Sequence, residues 1–85
     1  MADNGTPHLY TLFGKLIEDA DDTILLADVS HVEAIRAFRE RCNYMRQAGF
    51  HVTERKDDCD SRPYCSVRNP LTGLDEAQYW VRETA

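Results

Sequence analysis

Ser30-His31-Val32-Glu33-Ala34-Ile35-Arg36-Ala37-Phe38-Arg39-Glu40-Arg41-Cys42-Asn43-Tyr44-Met45-Arg46-Gln47-Ala48-Gly49-Phe50 holds the start, the apolar face and the stop of one helix. Ser30 and Glu33 make an S-x-x-E capping box, in which side chains satisfy backbone N–H groups of the first turn. Ile35, Phe38, Cys42 and Met45 follow at 3-4-3 spacing, with Val32, Ala34 and Ala48 beside them, giving one buried face. Gly49 stands where a left-handed C-cap belongs, and Phe50 can fold back on the last turn. The pattern predicts a helix over 31–48.

On the C-terminal side, Phe50 to Lys56 alternates apolar and polar residues, as a strand with one buried face does. Asp57 to Pro63 is loop chemistry, and Tyr64 to Asn69 reads as a second strand, so a hairpin with a polar tip follows the helix. Pro70 and Gly73 break the chain again. Asp75, Glu76, Ala77, Trp80 and Val81 have helical spacing, yet Gln78 to Arg82 is also good strand material. The strand reading is preferred and extends the hairpin into a three-stranded meander.

On the N-terminal side, Leu9, Leu12, Phe13, Leu16, Ile17 and Ala20 fit helical spacing, with Thr6 as cap and Pro7 at the first position. Gly14 mid-helix would cost about 1 kcal/mol relative to alanine. Glu18, Asp19, Asp21 and Asp22 would crowd the negative end of the helix dipole. A strand over 9–17, an Asp-rich turn and a strand over 23–28 avoid both penalties. The expected fold class is therefore α+β, ββαββ with a further C-terminal strand around one central helix; αβαββ is the alternative. The chain is read as a single domain over 1–85, with residues 1–7 as a flexible arm.

The composition bounds function more than it names it. The net charge is −5 and the sequence pI about 5.0. The charge is segregated: residues 1–35 set seven carboxylates against Lys15 alone, a net −6. Residues 36–68 set eight cations against five carboxylates, a net +3, and residues 69–85 are net −2. A small dipolar domain suits docking on something charged. No apolar run approaches the ~20 residues of a membrane span, and the first residues show no export signal, so the expected location is cytoplasmic.

Candidate chemistry is sparse. Cys42, Cys59 and Cys65 are an odd count without the C-x₂₋₄-C knuckle of a structural zinc site, even with His51 added. A Cys59–Cys65 bridge is disfavoured in a reducing compartment. His8, His31 and His51 are scattered, and no nucleophile–base pair is legible, so the chain is expected to be no enzyme and to need no cofactor or metal. Arg36, Arg39, Asn43 and Arg46 line one helix face, with Glu40 and Glu33 one turn away to pair with it. Arg55, Lys56, Arg62 and Arg68 follow on the hairpin. Tyr44 stands between the arginines and the buried face, and either Tyr79 or Trp80 is open to exposure, although Trp80 packed under the sheet is preferred.

The leading expectation is a non-enzymatic protein-binding module, an adaptor or inhibitor. It would dock through the acidic Asp19, Asp21 and Asp22 and through the basic patch of Arg36, Arg39, Asn43, Tyr44, Arg46 and Arg55. Its size and charge are those of many accessory proteins of phages and mobile elements that block nucleic-acid machinery. The alternative is a nucleic-acid-binding domain using the arginine-lined helix and hairpin, against which the acidic pI weighs. Self-association, acidic end to basic helix, is a sub-case of the first; no membrane partner is expected.

Overall fold

The computed structural model describes residues 8–55 and 63–84. Its elements are β1 (Tyr10–Leu16), β2 (Thr23–Val29), α1 (His31–Gln47), β3 (His51–Arg55), β4 (Tyr64–Arg68) and β5 (Asp75–Glu83). The α+β class is as expected, the N-terminal segment is a hairpin, and the C-terminal segment is a strand. The expected N-terminal arm and the β3–β4 hairpin tip lie outside the described residues.

All five strands form one antiparallel sheet in the order β2-β1-β5-β4-β3. The two hairpins flanking the helix are thus joined by β5, which inserts between β1 and β4. Its register on β1 runs without a break from Tyr10↔Glu83 to Leu16↔Ala77. The β1–β2 pairing is less regular, with register shifts between Tyr10 and Phe13. There Asp28 adopts φ 55° and donates its N–H to the Thr11 hydroxyl at 3.3 Å.

The helix covers one face of this sheet. Ser30 caps it, its hydroxyl accepting from Glu33 N–H at 3.2 Å, while the Glu33 carboxylate accepts from the Ser30 hydroxyl at 3.4 Å. The expected reach of Glu33 back to the backbone is thus replaced by a contact between side chains. At the other end Gly49 has φ 98°, and Phe50 N–H donates to Met45 C=O at 3.0 Å, closing the turn as expected. Ala34, Phe38 and Cys42 are fully buried against Leu12, Cys65, Val67, Ala77, Tyr79 and Val81. Because side chains alternate along a strand, this set takes every second residue of β4 and β5. The partly buried Met45, Ala37, Leu25, Leu26 and Val52 extend it.

Gly14 is explained by this packing. A Cβ there would stand 2.8 Å from the Tyr79 ring and 3.1 Å from Leu25, so only glycine lets the tyrosine lie across β1. Burial pushes the Tyr79 hydroxyl above its ordinary value, partly opposed by Arg41, whose guanidinium lies 5.5 Å from the ring centroid.

Candidate functional surfaces

The acidic residues named from sequence sit together. Asp19, Asp21 and Asp22 are exposed on the β1–β2 turn with Glu18. That turn meets the start of β5, where Ile17 N–H donates to Glu76 C=O at 3.0 Å. The acidic end therefore draws on two distant segments, and Asp75 and Glu76 join it. Asp75 accepts from Arg68 Nε at 3.2 Å and Glu76 from the Asn69 amide at 3.3 Å. Glu18, Asp19, Asp21 and Asp22 are in none of the ion pairs of the described residues.

Apolar side chains stand exposed among these carboxylates: Leu16 (48%), Ile17 (46%) and Leu74 (66%), with Leu71 (92%) on the preceding turn. A shallow groove of about 270 Å³ runs between the two segments, lined by Leu16, Ile17, Glu18, Leu74, Asp75 and Glu76. Sequence reading had found the Asp run and missed its apolar companions. The i and i+1 exposure of Leu16 and Ile17 has no periodic signature, and their nearness to Leu74 depends on the β1–β5 pairing.

The basic residues named from sequence are more dispersed. Arg36, Arg39, Asn43 and Arg46 are exposed along the helix, as the spacing requires. Arg46 is tied to Glu54 at 2.7 Å and reaches Asn43 Oδ1 at 3.5 Å, and the adjacent carboxylate raises its pKa. The anticipated Arg36–Glu40 pair is not among the ion pairs of the described residues. Arg39 and Arg55 line a small pocket with His31, Ile35, Phe38, Glu54 and Pro63. Tyr44 is 61% exposed, with Arg41 5.8 Å from its ring, and borders a groove of about 480 Å³ beside Leu25 and Leu26. Arg39 and Arg46 thus share their surroundings with Glu54, and Tyr44 shares its own with Glu40.

Trp80 is a correction. Sequence reading preferred it under the sheet, but β5 alternation sends Ala77, Tyr79 and Val81 to the helix and leaves Trp80 on the opposite face. Trp80 pairs with Phe13 on one side and Tyr64 on the other. Its ring stacks on Phe13, with centroids 5.8 Å apart and planes 15° apart. Its Nε1 is buried without an acceptor.

Cys42 and Cys65 face each other in the core as free thiols. Their mutual hydrogen bond lowers Cys42 and, together with burial, pushes Cys65 up. Among the described residues no group of three or more His, Cys, Asp or Glu is placed to hold a metal. Nor is any helix there long and apolar enough to cross a membrane. Comparisons with protein-family models, with curated proteins and with solved structures give no match, so the functional reading rests on this geometry.

Proposed function

We propose that this chain is a non-enzymatic protein-binding module whose principal contact is the acidic, apolar end formed by the β1–β2 turn and the start of β5. The observation that carries the reading is the interleaving of exposed Leu16, Ile17 and Leu74 with Glu18, Asp19, Asp21 and Asp22. Exposed apolar side chains rimmed by charge are the composition of an interaction site. The carboxylates select a basic partner and speed encounter, and the leucines supply burial once docked. Such a partner surface belongs to a protein, because a polyanion is repelled by this end. A cationic groove on a nucleic-acid-handling protein has the required sign, and an adaptor or inhibitor acting there needs no catalytic residue of its own. The arginine helix is the weaker surface, with Arg46 held by Glu54 and Glu40 alongside.

The test pairs capture with charge reversal. Tagged protein is expected to retain one stoichiometric partner from nuclease-treated lysate, and the Asp19→Lys, Asp21→Lys, Asp22→Lys triple variant is expected to lose it. These turn residues are exposed, so the variant should melt within a few degrees of the parent. Equal retention by parent and variant would remove the acidic end from the function. A partner that proves to be a second copy of the chain, seen as a dimer by light scattering that the variant abolishes, would make self-association the activity.

A further inference from the structure

The sheet face turned away from the helix carries one transverse row that crosses every strand. Ile24 on β2 pairs with Phe13 on β1, Phe13 with Trp80 on β5, Trp80 with Tyr64 on β4, and Tyr64 with Arg55 on β3. Three adjacent central strands therefore present Phe, Trp and Tyr side by side, each half-buried. With neighbouring strands about 4.8 Å apart, the row is roughly 19 Å long, the span of three or four extended nucleotides.

The rows on either side are cationic or hydrogen-bonding. One is Lys15, Gln78, Ser66 and Thr53; the other is Thr11 opposite Arg82, whose guanidinium lies 5.7 Å from the Phe13 ring centroid. Among the described residues of β1, β5, β4 and β3, these three rows hold Lys15, Arg55 and Arg82 and no carboxylate, although the chain as a whole is −5. Among the described residues, carboxylates at the borders of the rows include Asp28, held by the Thr84 hydroxyl at 3.2 Å, Asp75, held by Arg68, Glu76, held by Asn69, and Asp22 of the acidic turn.

We infer that this open face binds single-stranded nucleic acid, with bases stacked on Phe13, Trp80 and Tyr64 and phosphates met by Lys15, Arg55 and Arg82. Aromatic side chains on an open sheet take unstacked bases of any sequence, because every base has a π face. The flanking amide and hydroxyls of Gln78, Ser66 and Thr53 match base edges. A duplex, whose bases are stacked internally, gains nothing from such a row. The strand lies across the β-strands rather than along them, and it meets the acidic end at Lys15, which lines a pocket with Leu16 and Asp19. This surface adjoins the protein-docking end at Lys15, but its aromatic row is distinct from that end, so either reading can fail without the other.

Trp80 is the only tryptophan, so its emission reports directly on the row. Oligothymidylate of about 12 nucleotides is expected to quench it saturably at 50 mM salt, and a duplex of equal length is expected not to. Three phosphate contacts give a salt slope near −2, about a 20-fold weakening from 50 to 200 mM. Phe13→Leu keeps apolar burial but removes a stacking ring, and should weaken binding about tenfold or more. Arg82→Gln should lower the salt slope by about 0.7. Absence of quenching at 50 mM salt, equal quenching by the duplex, or unchanged affinity in Phe13→Leu would overturn the inference. Emission that changes with protein concentration alone would assign the face to a second copy and overturn it equally.

Discussion

The two faces of the sheet are made by the same strands and do opposite work. On β5, Ala77, Tyr79 and Val81 are 7% exposed or less beneath the helix, while Gln78 and Trp80 between them stay half-exposed. One residue of register separates the two environments. The covered face holds small and aliphatic residues that interlock with Ala34, Phe38 and Cys42. The open face holds aromatic rings and long cationic side chains, whose apolar parts pack while their ends remain in water. The difference teaches that a domain of this size concentrates its stability on one face, which leaves the other free to be specified by a ligand.

The sharpest way to break the comparison is to truncate one aromatic on each side. Phe38→Ala removes a ring that is 1% exposed and should cost about 3–5 kcal/mol, enough to unfold much of so small a domain. Phe13→Leu on the open face should cost less than about 1.5 kcal/mol. Urea titration of both variants measures the pair, and equal losses would mean that the open face is core as well.

Gly14→Ala tests the boundary between the faces, since its added Cβ meets the Tyr79 ring at 2.8 Å. A loss of about 1–3 kcal/mol is expected from the forced shift. A neutral result would show that Tyr79 rotates away at little cost.

The smallest effect is pH-dependent and belongs to the covered face. Tyr79, raised by burial, keeps its proton in the folded chain at a pH where the unfolded chain has lost it. Its contribution is therefore whole below the ordinary value of 10.0 and declines as pH rises from there through the folded value. Cys65, also raised, acts with the same sign, and its hydrogen-bonded partner Cys42, lowered, acts with the opposite one. Melting temperature should fall as pH rises above about 10, and Tyr79→Phe should shrink the fall. A Tyr79→Phe profile parallel to the parent would show that the tyrosine ionises as in water.

Most of the local structure was legible because local rules agreed with one another. The helix is a case in which cap, periodicity and stop coincide: Ser30, the Phe38–Cys42 face and Gly49 act within one segment. The N-terminal hairpin was legible from penalties, since Gly14 and the Asp run are costly in a helix and harmless in a hairpin. The placement of Trp80 was not legible. Gln78-Tyr79-Trp80-Val81-Arg82 alternates two aromatics on opposite sides, and nothing in the segment says which side the helix will cover. The acidic end was half legible, the Glu18–Asp22 run contiguous in sequence but Leu16 and Leu74 supplied by segments 58 residues apart.

Sequence alone determined the α+β class, the central helix with both ends, the two hairpins and the segregation of charge, all consequences of spacing within a few residues. The tertiary structure alone decided that β5 would enter between β1 and β4, because antiparallel pairing over long separations depends on which edges are free and which faces are apolar once the hairpins exist. That one insertion aligned Phe13, Trp80 and Tyr64 in a row. It also brought Leu74, Asp75 and Glu76 beside the Asp-rich turn, so both candidate surfaces follow from a contact that no local pattern encodes.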